Sequence, residues 1–506
     1  MLTRSFRRFL FVALGVVTLT VATRLPSLLH PRAIDDETAY SVVANEIVDG
    51  GLPYVDAVER KPPLVFWTYA AVFKVAGKYN WTALHAVALA WTLCTMAGLY
   101  VIGRRLFDRD TGLIAALFYS VFQPWETWKN LAFNCELLMN LPIVWAWAIA
   151  LGRSSSRARP ELLLAGVLLC AGFLLKQPAA FAAVPLGIYL LLPSYRASRG
   201  LTRTASVTHA AMLTAGFFGA LGLVTVVLQK QGILRDAFYW TITNHTDLRV
   251  FWERVALHTP AFVVICLPLL IGTALAYRDD RGVWAGKGAE RTALFGLLAA
   301  SAVGTAAGGR YYPHYYIQLI PPLALLAAPH YARLWSGRTQ SRHWLLRPAV
   351  TYAWLALAVV AFSIAHWLGL ASQREPTEAG RYLSEHSAAD DRIFIWGQEP
   401  KFYLDARRRP ASRYILTLLF TGYDGRRNVD TRNRIVPEAW TTLEQDFRRH
   451  PPAYIVDLHS DPGARYPVRD FPILAKLLAD RYKLVARTAE GTIYRASARG
   501  GVESNK

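Results

Sequence analysis

Charge is the scarcest commodity in this sequence. Charged residues make up 18% of the 506 residues, against about 25% in an ordinary soluble chain. Acidic residues are the rarer sign, with 36 Asp and Glu against 56 Lys and Arg. There are only four cysteines, Cys94, Cys135, Cys170 and Cys266. All fall within or beside apolar runs and none shows zinc-ligand spacing, which excludes a disulfide scaffold and leaves them as small core residues. No internal repeat, low-complexity tract, G-x-G-x-x-G or Walker loop is present. What the chain has instead is 53% hydrophobic residues and a mean hydropathy of +0.21. Together these exclude disorder and an ordinary cytosolic enzyme, and point to a polytopic membrane protein. The formal net charge of +20 does not indicate nucleic-acid binding, because the Arg residues form short clusters between apolar runs.

A helix needs about 20 mostly apolar residues to cross a bilayer. About eleven runs qualify: 9–26, 81–103, 111–125, 131–151, 161–176, 178–193, 207–228, 259–277, 291–308, 315–332 and 348–370. The first follows Arg4, Arg7 and Arg8 but lacks a small-residue cleavage site, so a retained helix is expected. Further cation clusters follow every second run, at Arg104/Arg105/Arg109, Arg153/Arg157/Arg159, Arg196/Arg199/Arg203, Arg278/Arg281/Lys287 and Arg333/Arg338/Arg342. Positive loops face the cytoplasm. The outer segments are then 27–80, 126–130, the turn at Lys176, 229–258, 309–314 and everything beyond about 370. The apolar run 64–73 is too short to span and is expected as an interfacial helix.

Charges and turns return after residue 370. Strands are expected over 391–397 and 453–460, and a strand pair over 482–496 around Glu490-Gly491. Helices are expected over 439–450 and 471–482. The expected fold class is therefore mainly α. A polytopic helical bundle over 1–370, with a first outer loop at 27–80, precedes a small C-terminal α/β domain over 371–506, outside the cytoplasm.

Polar residues on the outer side are the candidates for chemistry. Asp35, Asp36 and Glu37 stand together beyond the first run. In a soluble protein such a triplet is ordinarily a solvated turn. Here it is followed by Glu59, Arg60 and Lys61, directly before Pro62-Pro63, which restricts the backbone around Lys61. Lys61 alone would read as a cation snorkelling to lipid headgroups. Glu136 opens the fourth run and is either a functional ionisable group or an acid favoured by the helix dipole. Lys176 and Gln177 occupy a turn that needs polar residues in any case. Arg310, Tyr312, His314 and Tyr315 combine an interfacial aromatic belt with an Arg on the unusual side. The 229–258 loop adds Asp236, Tyr239, Asn244, His245, Asp247 and Arg249. His245 and nearby acids could hold a divalent metal, but their spacing matches no metal motif.

The run Asp36, Glu37, Tyr40 (D-E-x-x-Y), followed by Glu59 and Lys61–Leu64 (K-P-P-L), resembles the GT-C membrane glycosyltransferases. More narrowly it is similar to the bacterial branch containing lipid A aminoarabinose transferase and the protein O-mannosyltransferases. "RYYPHYYIQLIPPLALL" (310–326) resembles that branch's later outer-loop motif, and "WGQEPKFYLDARRRPASRY" (396–414) the start of its C-terminal domain. The aminoarabinose enzymes place Glu directly before Lys, whereas here Arg60 intervenes, which leaves the donor sugar open.

The resemblance implies a sugar carried on a polyprenyl phosphate and passed, on the extracytoplasmic face of the plasma or inner membrane, to a hydroxyl of lipid A, a surface glycan or a protein. An acceptor hydroxyl needs a carboxylate base, and the leaving lipid phosphate needs cations rather than a strong acid. Asp36 is expected as the base, with Glu37 and Glu136 as catalytic companions. Lys61, Arg310, Lys176 and His314 are expected on the donor phosphate, and Tyr40, Glu59, Tyr312 and Tyr315 on substrate. A single in-line displacement inverts the anomeric carbon. The resemblance brings no cofactor and no nucleic acid with it, and a divalent metal stays open without a motif to support it. The alternative is a multi-span lipid or glycan transporter, or flippase, without transferase activity, which ordinarily shows repeated halves and midplane charges.

Overall fold

The computed structural model describes residues 4–152, 159–245, 249–278, 282–337, 347–373, 376–422, 435–459 and 466–497. Arg153, Arg157, Asp247, Arg281, Arg338, Arg342, Ser460 and the His245 side chain lie outside the described residues. Helices dominate. In chain order they are α1 (Arg4–Leu29), α2 (Glu37–Val48), α3 (Pro63–Ala76), α4 (Trp81–Leu106), α5 (Arg109–Phe122), α6 (Cys135–Ala150), α7 (Glu161–Leu175), α8 (Ala183–Leu191), α9 (Pro193–Ala197), α10 (Arg203–Lys230), α11 (Leu234–Thr241), α12 (Trp252–Ile265), α13 (Leu267–Arg278), α14 (Gly288–Ala306), α15 (Ile320–Trp335) and α16 (Pro348–Ala371).

Four described helices are long and apolar enough to cross a membrane: α1 from Phe9, α4, α10 and α16. The bent pair α12–α13 makes a fifth if taken as one span. The other expected runs form shorter helices, and proline chemistry accounts for several of the breaks. Pro178 opens a 3₁₀ turn over Gln177–Ala182 and divides α7 from α8. The run 259–277 bends by 75° between α12 and α13, next to Pro268, which cannot continue the backbone ladder. The run 64–73 folds as α3, with Pro63 in its first turn and one face buried through Val65, Phe66, Tyr69 and Phe73. Helices α7 and α10 touch backbone to backbone at Gly166 and Gly216, where a side chain on either would collide with the opposite carbonyl. Small residues at such crossings are how helices pack in lipid.

Beyond α16 lies a five-stranded sheet. Its strands are β1 (Arg392–Trp396), β2 (Arg409–Pro410), β3 (Tyr454–Asp457), β4 (Tyr482–Arg487) and β5 (Thr492–Ala496), in the order β2-β1-β3-β5-β4. The β1 pairings with β2 and β3 are parallel, and β5 joins β3 and β4 antiparallel. Helices Ala439–Arg449 and Pro472–Arg481 occupy the stretches where helical spacing is expected. The edge strand β2, only two residues long, has no signal in the sequence.

The sheet is tied to the first outer loop. Glu46 of α2, 1% exposed, accepts two hydrogen bonds from the Arg409 guanidinium, at 2.9 and 2.5 Å. The Val58 N–H donates to the Arg413 carbonyl at 2.8 Å. Arg413 is itself paired with Asp446. Charge-assisted bonds of this kind contribute roughly 1.5–3 kcal/mol each. Glu46→Ala is therefore expected to lower the thermal midpoint in detergent and to speed proteolysis around 400–415, whereas an unchanged midpoint would show that the bidentate pair contributes nothing.

Candidate active site

The ends of α2 and α3, the start of α6, the turn after α7 and the loop before α15 meet at one place. Asp36 is the N-cap of α2. Its carboxylate is 43% exposed and lies 3.9 Å from His314 Nε2. The Tyr40 hydroxyl, one turn along α2, donates to Asp36 Oδ2 at 3.1 Å. Burial pushes the Asp36 carboxyl up, but Lys61, His314, the Tyr40 hydroxyl and Lys176 together hold it below the usual range. It is an ionised, partly exposed acceptor with the Tyr40 hydroxyl and His314 beside it.

Lys61 is fixed from both sides. Its N–H donates to Glu59 Oε2 at 2.8 Å, and its carbonyl accepts the Tyr54 hydroxyl at 2.8 Å. The ammonium lies 5.9 Å from the Tyr40 ring centroid. Burial alone would lower the Lys61 ammonium, yet the Glu59 and Asp36 carboxylates hold it above its ordinary value.

The second half of the cluster is Glu136, Lys176, His314 and Tyr315. Asn134 caps α6 by accepting from the Leu137 N–H, which sets Glu136 in the first turn. Glu136 is 1% and Lys176 7% exposed. They form a hydrogen-bonded ion pair, and the Lys176 ammonium sits 3.7 Å from the Tyr315 ring centroid. His314 Nε2 lies 4.0 Å from Glu136 Oε1. It thus stands between the two carboxylates and links the halves.

Several expected roles change. Glu37 is wholly buried and accepts backbone N–H bonds from Ile34 and Phe133. Glu59 is spent on holding the Lys61 backbone. Tyr40, 1% exposed, orients Asp36 and also takes a 3.4 Å contact from Cys135 Sγ. Burial pushes its hydroxyl well above the ordinary value, so it remains a donor. The Arg310 guanidinium packs over Phe251, 5.3 Å from its ring centroid. A further cation against the cluster is Arg254 on α12, with its guanidinium 3.9 Å from the Tyr312 ring and 4.8 Å from the Phe251 ring. Tyr312 in turn stacks on His314 at 5.5 Å and 8°. Arg254 Nη1 donates to the Arg310 carbonyl at 3.3 Å. Sequence reasoning missed Arg254. A weak signal was available: Arg254 closes the 229–258 segment, one of several arginines in the segments expected outside the cytoplasm. Gly309 makes this junction possible. Its φ of +65° puts it in the left-handed region, and a side chain there would strike the Arg249 carbonyl.

Non-glycine residues with positive φ gather here. Asp35 (53°), Tyr54 (68°), Glu126 (70°) and Tyr311 (49°) lie in the loops around the cluster. Such strain persists only where the surroundings over-determine the backbone, and it concentrates at functional sites. Beside Lys61 opens an apolar cavity of about 660 Å³, bounded by Pro62 and Pro63, Phe173 and Leu174, and residues of α10 and α11. Among the described residues no group of three or more His, Cys, Asp or Glu is arranged to hold a metal ion.

This arrangement, a helical bundle with a sheet beyond its last long helix, is that of the GT-C fold. Three solved structures share it. The ArnT from Cupriavidus metallidurans bound to undecaprenyl phosphate superposes with a TM-score of 0.63 at 14% identity, covering 99% of both chains. The same protein in its apo state gives 0.59 at 15% identity over 97% of both. The oligosaccharyltransferase AglB from Archaeoglobus fulgidus, in complex with an inhibitory peptide and a dolichol-phosphate, gives 0.52 at 12% identity, covering 98% of this chain and 75% of that one. Residues 60–224 match the family described as dolichyl-phosphate-mannose-protein mannosyltransferase. The resemblance to the GT-C glycosyltransferases carried by the sequence motifs is thereby borne out. A comparison with curated protein sequences gives no significant match.

Proposed function

We propose that this protein is an inverting membrane glycosyltransferase that moves a sugar from a polyprenyl-phosphate donor to an acceptor hydroxyl on the extracytoplasmic face. The observation that carries this reading is the half-exposed Asp36 carboxylate, held ionised between Lys61 and His314. Asp36 takes the acceptor proton as the hydroxyl oxygen bonds to the anomeric carbon. The carbon–oxygen bond to the phosphate breaks at the same time, and its electron pair leaves with the lipid phosphate. Lys61 and Arg254 bind that developing charge. Both are cations fixed by their surroundings, which suits electrostatic stabilisation of a leaving group. Glu136, Lys176 and His314 orient the substrates from the opposite side. The apolar cavity begins at Pro62, one residue from Lys61, and suits the first isoprene units of the donor. Undecaprenyl phosphate in the ArnT structure and dolichol-phosphate in the AglB structure support a donor of this class. The test is reconstitution of the purified chain with synthetic polyprenyl-phosphate sugars and extracted envelope acceptors. Donor consumption without a glycosylated product, or no consumption with any donor, defeats the reading.

The topology that serves this chemistry has about eleven membrane crossings, a cytoplasmic N-terminus and residues 371–506 outside. Lys483, exposed on the edge strand β4, suits a labelling test in a chain with Cys94 replaced by Ser. Lys483→Cys is expected to react with an impermeant maleimide in intact spheroplasts. Labelling only after lysis would reverse the topology.

A further inference from the structure

One buried carboxylate joins the two loops that bear Asp36 and Glu136. Glu37 is 0% exposed. Its Oε2 accepts the Ile34 N–H at 2.7 Å, two residues before Asp36. Its Oε1 accepts the Phe133 N–H at 2.5 Å, three residues before Glu136. Neither amide belongs to a helix. The same carboxylate is anchored from behind. His85 Nε2 of α4 lies 3.2 Å from Glu37 Oε2, and His85 Nδ1 lies 2.7 Å from the Ser27 carbonyl of α1. A carbonyl can only accept, so Nδ1 carries a proton toward Ser27, and the ring is held with its other nitrogen against the Glu37 carboxylate. Arg24, 1% exposed, repeats the pattern nearby, donating to Gln123 Oε1 at 2.9 Å and to the Leu131 carbonyl at 2.7 Å.

From this geometry we infer that Glu37 is a positioning residue: its carboxylate holds the Asp36 loop and the Glu136 loop in register, and its effect on sugar transfer runs through Asp36. The inference rests on the reading of Asp36 as the base. A buried carboxylate that accepts two N–H bonds is well suited to the task, because charge-assisted bonds are short and directional. A displacement of about 1 Å at a reacting group can cost on the order of 10²-fold in rate. Gln in place of Glu37 retains one acceptor oxygen but turns an NH₂ toward an N–H donor, so one of the two ties breaks.

The test is a double-mutant cycle of Asp36→Asn and Glu37→Gln, with amide hydrogen exchange on the same four proteins. Residues coupled through one function are non-additive, and a second loss then costs little. Glu37→Gln is expected to lower turnover by about 10–10²-fold in the native background and by less than about threefold when Asp36 is already Asn. Exchange at Ile34 or Phe133 is expected to rise by about tenfold, the effect of losing roughly 1.4 kcal/mol of protection. Undecaprenyl phosphate should still bind, since Lys61 and Arg254 are untouched. A loss that adds in full to that of Asp36→Asn would make Glu37 an independent catalytic group and overturn the inference, as would unchanged exchange at both amides. Should Glu37→Gln fail to fold, His85→Gln loosens the same carboxylate from α4 and is read in the same way. Wild-type protein that transfers no sugar overturns the proposed reaction and the route through Asp36, while the exchange measurement still decides whether Glu37 joins the loops.

Discussion

Asp36→Asn is expected to remove about 10²–10⁴ of the turnover rate, the usual contribution of a positioned general base. Asn keeps the shape and can still accept from the Tyr40 hydroxyl, so the loop should hold. The donor phosphate is bound by other groups, and its affinity should stay nearly unchanged. Asp35→Asn should be mild, because Asp35 points instead to Lys129 at 3.1 Å, on the surface. Glu136→Gln should act differently again, leaving Lys176 buried without its counter-charge. Steady-state kinetics with a defined donor and acceptor separate these outcomes. Normal turnover by Asp36→Asn beside a dead Asp35→Asn or Glu136→Gln would put the base elsewhere. Full activity in all three would end the carboxylate mechanism.

Lys61→Ala should show two effects at once. The first is on donor binding. A charge-assisted contact contributes roughly 1.5–3 kcal/mol, or about 10–150-fold in affinity. Titration with undecaprenyl phosphate reads this directly, and wild-type affinity in a folded variant would remove Lys61 from the phosphate site. The second effect is on the pH profile. The Asp36 carboxyl lies below its usual range because nearby cations outweigh burial, with Lys61 the largest of them. A base with a lowered pKa stays active to lower pH, so the acid limb of kcat/KM in the native protein is expected below the ordinary Asp value of about 3.9. Removing Lys61 leaves the burial and withdraws the largest lowering influence. The acid limb should then move up, toward neutral pH. A limb that stays in place, with turnover otherwise measurable, would show that Asp36 is not the group whose ionisation limits the rate.

Arg254→Ala offers a control of known geometry. Its guanidinium lies between Phe251 and Tyr312, far in sequence from the D-E-x-x-Y run. It should weaken the lipid phosphate without moving the acid limb, since Lys61 and His314 remain beside Asp36.

The amino-acid sequence by itself determined the membrane character of this protein and its fold family. Long apolar runs and a shortage of charge require lipid, because only a bilayer accepts that much apolar surface. The run Asp36, Glu37, Tyr40 and the Lys61-Pro62-Pro63 turn carry the resemblance to the GT-C glycosyltransferases. Strand and helix periods after residue 370 are local signals and appear where expected. Tertiary structure decided the rest. Asp36 and Glu37 are neighbours in an acidic run, yet their side chains part. Successive residues entering a helix point about 100° apart, so Asp36 stays partly exposed and Glu37 meets the buried face. Which arginine reaches the cluster also depends on packing. The left-handed Gly309 lets the two segments meet, with Arg254 and Arg310 both over Phe251 and Arg254 also over Tyr312. No local pattern encodes that choice, because it depends on where two segments 56 residues apart come to lie.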